Sequence, residues 1–281
     1  MTQSFLSSSP QLNPMAWTSA HIDAAAAALM EQHQRKAQFE GLREPAELPD
    51  AGTAYAVQAS LVTRKCALLD TRPAGYKIAL TTKTMRELVG YADSISGRVL
   101  ASQVYGDAAQ IQAANFGRLA VEFEIAFVMR TDLPLRPSPW GRDIADYILR
   151  AHPALELVDD RAADYAALPG HILTLIADNA WNAGLVMGPP LRDWAFDQLD
   201  RVEGLALVNG QEVGRGRGSD VLGHPLDALA WLANHLQLRN IPLRGGDIVT
   251  TGSLVKTQFP QAPCEVALRL ADTSAVSARL I

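Results

Sequence analysis

The segment VEFEIAFVMR, residues Val121–Arg130, places two glutamates one residue apart in an otherwise apolar run. Its β-branched and aromatic residues predict a β-strand, in which successive side chains point to opposite faces. Glu122 and Glu124 would then share one face, with their Cα atoms about 6.6 Å apart. The same face continues through three apolar residues, Ala120, Ala126 and Val128. Because such a face is poorly suited to water, we expect the strand to hold two carboxylates in a small, largely buried space.

A third acidic residue, Glu156, lies in similar surroundings in the segment HPALELVDDR. Buried carboxylates repel one another and take up protons unless a cation lies among them. A divalent metal would meet that need, and three carboxylates without Cys or His favour Mg²⁺ or Mn²⁺ over Zn²⁺. The alternative for Glu156 alone is an ion pair with a nearby arginine such as Arg161.

Lys77 lies in the middle of an apolar strand-like segment, AGYKIALT. A buried ammonium group there would bind a carboxylate or donate a proton. The alternative is a lysine whose stem covers apolar surface while its charged end reaches water.

The composition is that of a globular enzyme, with 281 residues, 48% hydrophobic and 20% charged. A net charge of −5 without a basic cluster gives no electrostatic footprint for nucleic acid or an anionic membrane, so a small-molecule partner is expected. Cys66 and Cys264 lie far apart without metal-ligand spacing, which fits a reducing compartment. The N-terminus lacks the pattern of a signal peptide and no run is long enough to span a bilayer, so we expect a cytoplasmic protein.

The pattern along the chain changes twice. Residues 1–16 are polar and aperiodic and are predicted to form a flexible arm. Residues 17–72 are rich in helix formers and predict two helices, the first running to the end of the segment AHIDAAAAALMEQHQRKAQF and the second following Asp50. Residues 73–281 predict a β-rich catalytic domain with an Asn-Gly hairpin at LALVNGQEV, a C-terminal hairpin, and one helix beginning near Pro225. The predicted fold class is therefore α+β.

Two further segments carry polar groups suited to a substrate. Asp178 and Asn179, in ADNAWNAGLVMG, suit substrate contact or the capping of a turn. Thr251 and Gly252, in TTGS, offer a hydroxyl and a backbone N–H to a carboxylate, or form an ordinary turn. The glycine-rich segment 214–220, GRGRGSD, lacks the Lys-Ser/Thr ending of a phosphate loop, which argues against nucleotide binding.

Together, six segments resemble the hydratase/decarboxylase family of the fumarylacetoacetate hydrolase superfamily: YKIALT, VEFEIAFV, HPALELVDDR, ADNAWNAG, VLGHPLDALAWLANHL and GDIVTTG. That family includes 2-keto-4-pentenoate hydratases and 4-oxalocrotonate decarboxylases of aromatic meta-cleavage pathways. The resemblance runs from about Tyr55 to the C-terminus. It implies a fold like the superfamily's C-terminal domain, a mixed β core of packed sheets with a helical N-terminal part, and a homo-oligomeric protein.

The resemblance also implies roles for individual residues. Glu122, Glu124 and Glu156 match the family's metal-binding carboxylates, which hold Mg²⁺ or Mn²⁺, and Lys77 matches its active-site lysine. The implied activity is that of a divalent-metal-dependent lyase acting on short unsaturated 2-oxo acids or their 2-hydroxydienoate tautomers.

One position departs from the hydratase pattern. Similar hydratases usually carry an acidic residue two positions before the glycine that is here Gly97, and this chain has Ile95 there. Decarboxylase-type members can have an aliphatic residue at this place, and Asp93 is displaced from it by two residues. Hydration is therefore the leading interpretation and 4-oxalocrotonate-type decarboxylation the alternative, with a non-catalytic carboxylate-binding member of the fold as a second alternative.

Overall fold

The computed structural model describes residues 17–43, 47–192, 194–271 and 274–281. The arm predicted for residues 1–16 lies outside these residues. Within the described residues the helices are α1 (Ser19–Gln34), α2 (Ala51–Leu68), α3 (Lys83–Val89), α4 (Ile172–Ala177) and α5 (Pro225–Gln237). The strands are β1 (Pro73–Ala79), β2 (Ile95–Leu100), β3 (Val104–Gly106), β4 (Ala109–Ile111), β5 (Leu119–Met129), β6 (Ile148–Asp159), β7 (Asn182–Met187), β8 (Glu203–Val208), β9 (Gln211–Arg217), β10 (Ile248–Ser253), β11 (Cys264–Leu270) and β12 (Ser274–Leu280).

The strands form two sheets. The larger has the order β2-β1-β10-β5-β6-β7-β3 and the smaller the order β4-β12-β11-β8-β9. In the larger sheet β1 is parallel to β10, β10 is antiparallel to β5, and β5 is antiparallel to β6. The long strand β5, which contains the two glutamates, therefore lies at the centre of this sheet. These mixed sheets and the accompanying helices confirm the predicted α+β class.

The two faces of β5 pack against different partners. Phe123, Ile125 and Phe127 enter a core shared with apolar residues of the smaller sheet. Each fully buried side chain of this size stabilises the fold by about 1.5–3 kcal/mol. On the other face, Ala120 joins a second apolar cluster, which contains Leu29 of α1 and other residues of α2 and α4. Because side chains alternate along a strand, the glutamates lie on this second face of β5.

The helix ends follow local capping chemistry. The Asp50 side chain accepts a hydrogen bond from Thr53 N at the start of α2, and Pro225 occupies the first turn of α5 as predicted. Helix α1 ends at Gln34, five residues short of the predicted segment, because Lys36 turns into the left-handed region with φ 47° and Phe39 packs on Trp181. No helix in the described ranges is long and apolar enough to cross a membrane.

The predicted hairpins are both present. Asn209 and Gly210 connect β8 to β9 with φ values of 51° and 76°, and a type I′ turn requires positive φ at both positions. Strands β11 and β12 pair in antiparallel register from Cys264 opposite Leu280 to Leu270 opposite Ser274. The boundary drawn between the helical part and the catalytic domain at residue 72 stays a prediction.

Candidate metal centre and its cavity

The register of two strands brings the predicted acidic residues together. Glu122 on β5 lies directly opposite Glu156 on β6, and Glu124 follows two residues along the same face. Carboxylate oxygens of the three lie within 4.8 Å of one another. Glu124 and Glu156 are fully buried, and Glu122 keeps 21% of its side chain exposed. One small space thus contains three carboxylates, with an opening at Glu122.

Lys77 supplies the nearest positive charge. Its Nζ lies 3.0 Å from Glu156 Oε1 and 3.9 Å from Glu122 Oε2. Only 3% of its side chain is exposed, so its charged end stays inside the protein and does not reach water as the alternative required. Arg161, the other suggested partner of Glu156, pairs with Asp178 instead, at 2.9 Å.

One ammonium group does not balance three carboxylates. Burial, with Glu156 and Glu122 nearby, raises the pKa of Glu124 well above its usual value. Burial also raises the pKa of Glu156, although Lys77 acts in the opposite direction. Burial tends to lower the pKa of Lys77, but Glu156 and the other two glutamates outweigh it and raise that pKa. The cluster therefore lacks the positive charge needed to keep all three groups ionised.

The carboxylate oxygens are only partly satisfied by hydrogen bonds. Glu124 Oε2 accepts from Gly252 N at 2.6 Å, Glu156 Oε1 from Asn182 Nδ2 at 2.9 Å, and Glu122 Oε1 from Thr257 Oγ1 at 2.8 Å. Within the described part of the chain, Glu124 Oε1 and Glu156 Oε2 are buried without any hydrogen-bond partner. Unpaired buried acceptors of this kind fit the ligand set of a hard divalent cation.

The Gly252 position depends on the absence of a side chain. Its φ of 107° lies in the region that favours glycine, and a Cβ there would come within 2.3 Å of Thr81 Oγ1. Thr251 donates its hydroxyl hydrogen to Ile125 O and is fully buried. Gly252 therefore orients Glu124 through its N–H, and Thr251 ties β10 to β5.

A cavity of about 530 Å³ opens beside this cluster. Lys77, Glu122 and Gly252 line it, and so does Ile95, whose side chain is fully buried at the start of β2. Asp93 does not replace an acid at the Ile95 position. Its exposed carboxylate accepts hydrogen bonds from Trp231 Nε1 and Ser94 N, both at 2.8 Å.

Asp178 and Asn179 do not line this cavity. Asp178 is fully buried, where it pairs with Arg161 and, at 2.5 Å, with His33 Nε2. Asn179 Oδ1 accepts from Arg98 N at 2.6 Å, and its Nδ2 donates to Arg98 O at 2.9 Å. Both side chains hold the strand β2 and helix α1 in place, and their contact with substrate stays a prediction.

Two residues of the site were missed in the sequence. Asn182 and Thr257 each donate a hydrogen bond to a glutamate of the cluster. Asn182 lies within the quoted segment ADNAWNAG, where a polar side chain at the start of the strand β7 was a usable signal. Thr257 gave no signal in the sequence, because it lies 135 residues from Glu122.

Comparison with known proteins places these features in a family. Residues 98–280 match the model of the fumarylacetoacetate (FAA) hydrolase C-terminal family. A 2-keto-4-pentenoate hydratase of Paraburkholderia phymatum is 34% identical over 236 residues, covering 83% of this chain and 87% of that protein. A 2-oxo-hept-4-ene-1,7-dioate hydratase of Escherichia coli is 34% identical, covering 72% of this chain and 76% of that protein. These matches confirm the resemblance seen in the sequence.

Solved structures share the fold. The 4-oxalocrotonate decarboxylase from Pseudomonas putida G7, complexed with magnesium and adipate, superposes with a TM-score of 0.83 at 22% sequence identity. The match covers 95% of this chain and 99% of that chain. Similarity at this level of identity shows a common fold.

Proposed function

The chain belongs to the fumarylacetoacetate hydrolase family, and from this membership we propose that it is a divalent-metal-dependent lyase of the 2-keto-4-pentenoate hydratase type. Its substrates are short unsaturated 2-oxo acids or their 2-hydroxydienoate tautomers. The observation that carries the proposal is the cluster of Glu122, Glu124 and Glu156 beside Lys77, at the end of a cavity large enough for such an acid.

We propose Glu122, Glu124 and Glu156 as the residues that hold Mg²⁺ or Mn²⁺. Two buried carboxylate oxygens without hydrogen-bond partners among the described residues support this assignment. When bound, the cation supplies Lewis-acid stabilisation of the negative charge that develops on the substrate. Gly252 N–H and Asn182 Nδ2 fix the orientation of the carboxylates.

Lys77 is the proposed catalytic residue. Its Nζ is a charged donor in the cavity wall, suited to hold the substrate carboxylate or to deliver a proton to the intermediate. The apolar wall beside it lowers the local dielectric constant, which strengthens both interactions.

Hydration is the leading reaction, supported by relatives named as hydratases at 34% identity. A hydratase must activate a water, and the position that usually carries an acid for this purpose is the buried Ile95. Decarboxylation expels CO₂ from a distal carboxylate and needs no base there, so Ile95 supports it as the second candidate.

We also propose that the protein is a cytoplasmic homo-oligomer. The homo-oligomer is inferred from the family resemblance. Light scattering of the protein as it elutes from a size-exclusion column tests it by giving the molar mass. The two free thiols, Cys66 and Cys264, support a reducing compartment.

The test is a Mg²⁺-supplemented assay that offers 2-hydroxypenta-2,4-dienoate and 2-oxohex-3-enedioate in parallel, with products identified by mass. Formation of 4-hydroxy-2-oxopentanoate from the first establishes hydration. Loss of CO₂ from the second, with the first untouched, establishes decarboxylation. Turnover of neither substrate, together with an absence of stoichiometric Mn²⁺ binding, would leave the non-catalytic alternative.

A further inference from the structure

The lining of the cavity beside the acidic cluster is of two kinds. The part at the cluster, its charged end, carries Lys77 and Glu122. The remaining wall is mostly apolar and includes the following side chains: Leu80, Met85, Val89, Ile95, Val158 and Trp181. All six belong to, or pack against, the apolar cluster that joins helices α1, α2 and α4 to the larger sheet. A ligand whose head is held at the glutamates would therefore extend along an apolar surface.

Few ionisable groups line the cavity away from that charged end, and none of those in the described residues is a buried cation. Asp220 and Lys256 are both exposed and carry opposite charges. Tyr165 is half-buried and donates its hydroxyl hydrogen to Asp160 at 3.1 Å. A carboxylate carried into this region would lose its water without gaining a buried positive partner, which is costly.

The size of the cavity also favours a ligand with an apolar group beyond its acid head. About 530 Å³ is within the range of pockets that enclose drug-sized ligands, and a five-carbon 2-oxo acid would leave much of it unfilled. Filling an apolar wall with an apolar group is favourable in proportion to the area removed from water.

We propose that the substrate carries an uncharged, apolar group at the end remote from its 2-oxo acid head, larger than the vinyl group of 2-hydroxypenta-2,4-dienoate. The wall around Met85, Val89 and Ile95 is the subsite that binds this group. The inference rests on the proposed function, because the position of the head is taken from the acidic cluster and Lys77. It selects an apolar monoacid over a dicarboxylic acid.

The experiment compares three saturated 2-oxo acids by calorimetry with the Mg²⁺-loaded full chain: 2-oxopentanoate, 2-oxooctanoate and 2-oxooctanedioate. Each buried methylene group should tighten binding about fourfold, so 2-oxooctanoate should bind about 50-fold more tightly than 2-oxopentanoate. The diacid of the same length should bind no more tightly than 2-oxopentanoate.

A lysine introduced into the wall provides the matched test. Met85 is a half-buried residue of α3 that lines the cavity, and Leu88 is an exposed residue of the same helix that does not. Met85→Lys should shift the preference between 2-oxooctanoate and 2-oxooctanedioate at least tenfold towards the diacid. Leu88→Lys adds the same charge to the same helix and should leave the preference unchanged.

The outcomes separate the two proposals. Mg²⁺-dependent binding of all three acids with equal affinity, or tighter binding of the diacid to the unmodified chain, overturns the apolar subsite while the proposed function stands. An equal shift in both lysine variants overturns it as well, because the effect would then come from charge at a distance. If none of the acids binds in a Mg²⁺-dependent manner, the proposed function falls and the subsite with it.

Discussion

The substitution Glu124→Gln separates a metal ligand from an ordinary buried residue. Glu124 is fully buried, one of its oxygens accepts from Gly252 N, and the other has no partner among the described residues. In the metal-free protein three carboxylates face one ammonium group, so removing one charge relieves repulsion. Glutamine keeps the shape and an acceptor for Gly252. We therefore expect the metal-free variant to be as stable as the unmodified protein, or more stable by about 1–3 kcal/mol.

Metal addition should stabilise the unmodified protein and leave the stability of the variant unchanged. Saturation at 100 times the dissociation constant stabilises a binding protein by about 2.7 kcal/mol. For a chain of this size, that corresponds to a rise in Tm of about 5–10 °C. The unmodified protein should show this rise with Mg²⁺ and the variant should show none, as measured by circular dichroism during heating, with Mn²⁺ titration by calorimetry in parallel.

The control for this experiment is Glu265→Gln, which removes an exposed carboxylate from β11 and should retain the full Mg²⁺ response. Two results would refute the reasoning. One is stoichiometric metal binding to Glu124→Gln with unchanged affinity. The other is a loss of more than about 4 kcal/mol in the metal-free variant, which is the behaviour of a core residue that leaves a cavity or an unpaired group.

Three further predictions concern charge. Lys77→Met should lower kcat about 10²–10⁴-fold while Mg²⁺ still binds, because the lysine acts on the substrate and does not hold the cation. Loss of the folded circular dichroism spectrum in this variant would instead indicate a structural role for Lys77. Burial raises the pKa values of Glu124 and Glu156, so the metal-free protein should lose stability as pH rises from their ordinary values through the raised ones. The rise in Tm on adding Mg²⁺ should therefore be larger at pH 8 than at pH 5, and a constant rise would contradict this. Asp178→Asn should cost about 3–5 kcal/mol in unfolding free energy, because it leaves the buried Arg161 without its carboxylate. The KM of this variant should stay unchanged. A rise in KM without loss of stability would indicate that Asp178 contacts the substrate.

The acidic cluster was predictable from the sequence because its geometry is local. Alternation along one strand puts Glu122 and Glu124 on the same face, and apolar flanks on that face indicate burial. Glu156 needed only the assumption that two long apolar segments pair in one sheet. The structure has that pairing, with Glu122 opposite Glu156. Lys77 was recognised as unusual, but its partners depend on the order β1-β10-β5-β6, which strand patterns alone do not give.

Asp178 and Asn179 show where such reasoning ends. Both lie in a segment that resembles a family motif, and polar residues in a motif suggest contact with substrate. Asp178 pairs with His33, which lies 145 residues away on α1, and Asn179 binds the backbone of Arg98. The segment does contribute to the site, but through Asn182, which binds Glu156. A motif can thus locate a site correctly while its individual side chains serve the frame around it.

Ile95 connects the choice of reaction to the choice of substrate. Because Ile95 is buried in the cavity wall and Asp93 is held outside by Trp231, neither residue supplies an acid at the position to which the family resemblance assigns the activation of water. Decarboxylation would remove the need for that acid, but it requires a distal carboxylate, and away from the charged end the described lining offers no buried cation to bind one. Hydration of an apolar monoacid needs no buried cation for a distal carboxylate, so only the missing acid at the Ile95 position remains to be explained. Of the two acids in the described lining of the cavity, Glu122 is assigned to the metal, so Asp220 is the carboxylate on which a search for the missing base should begin.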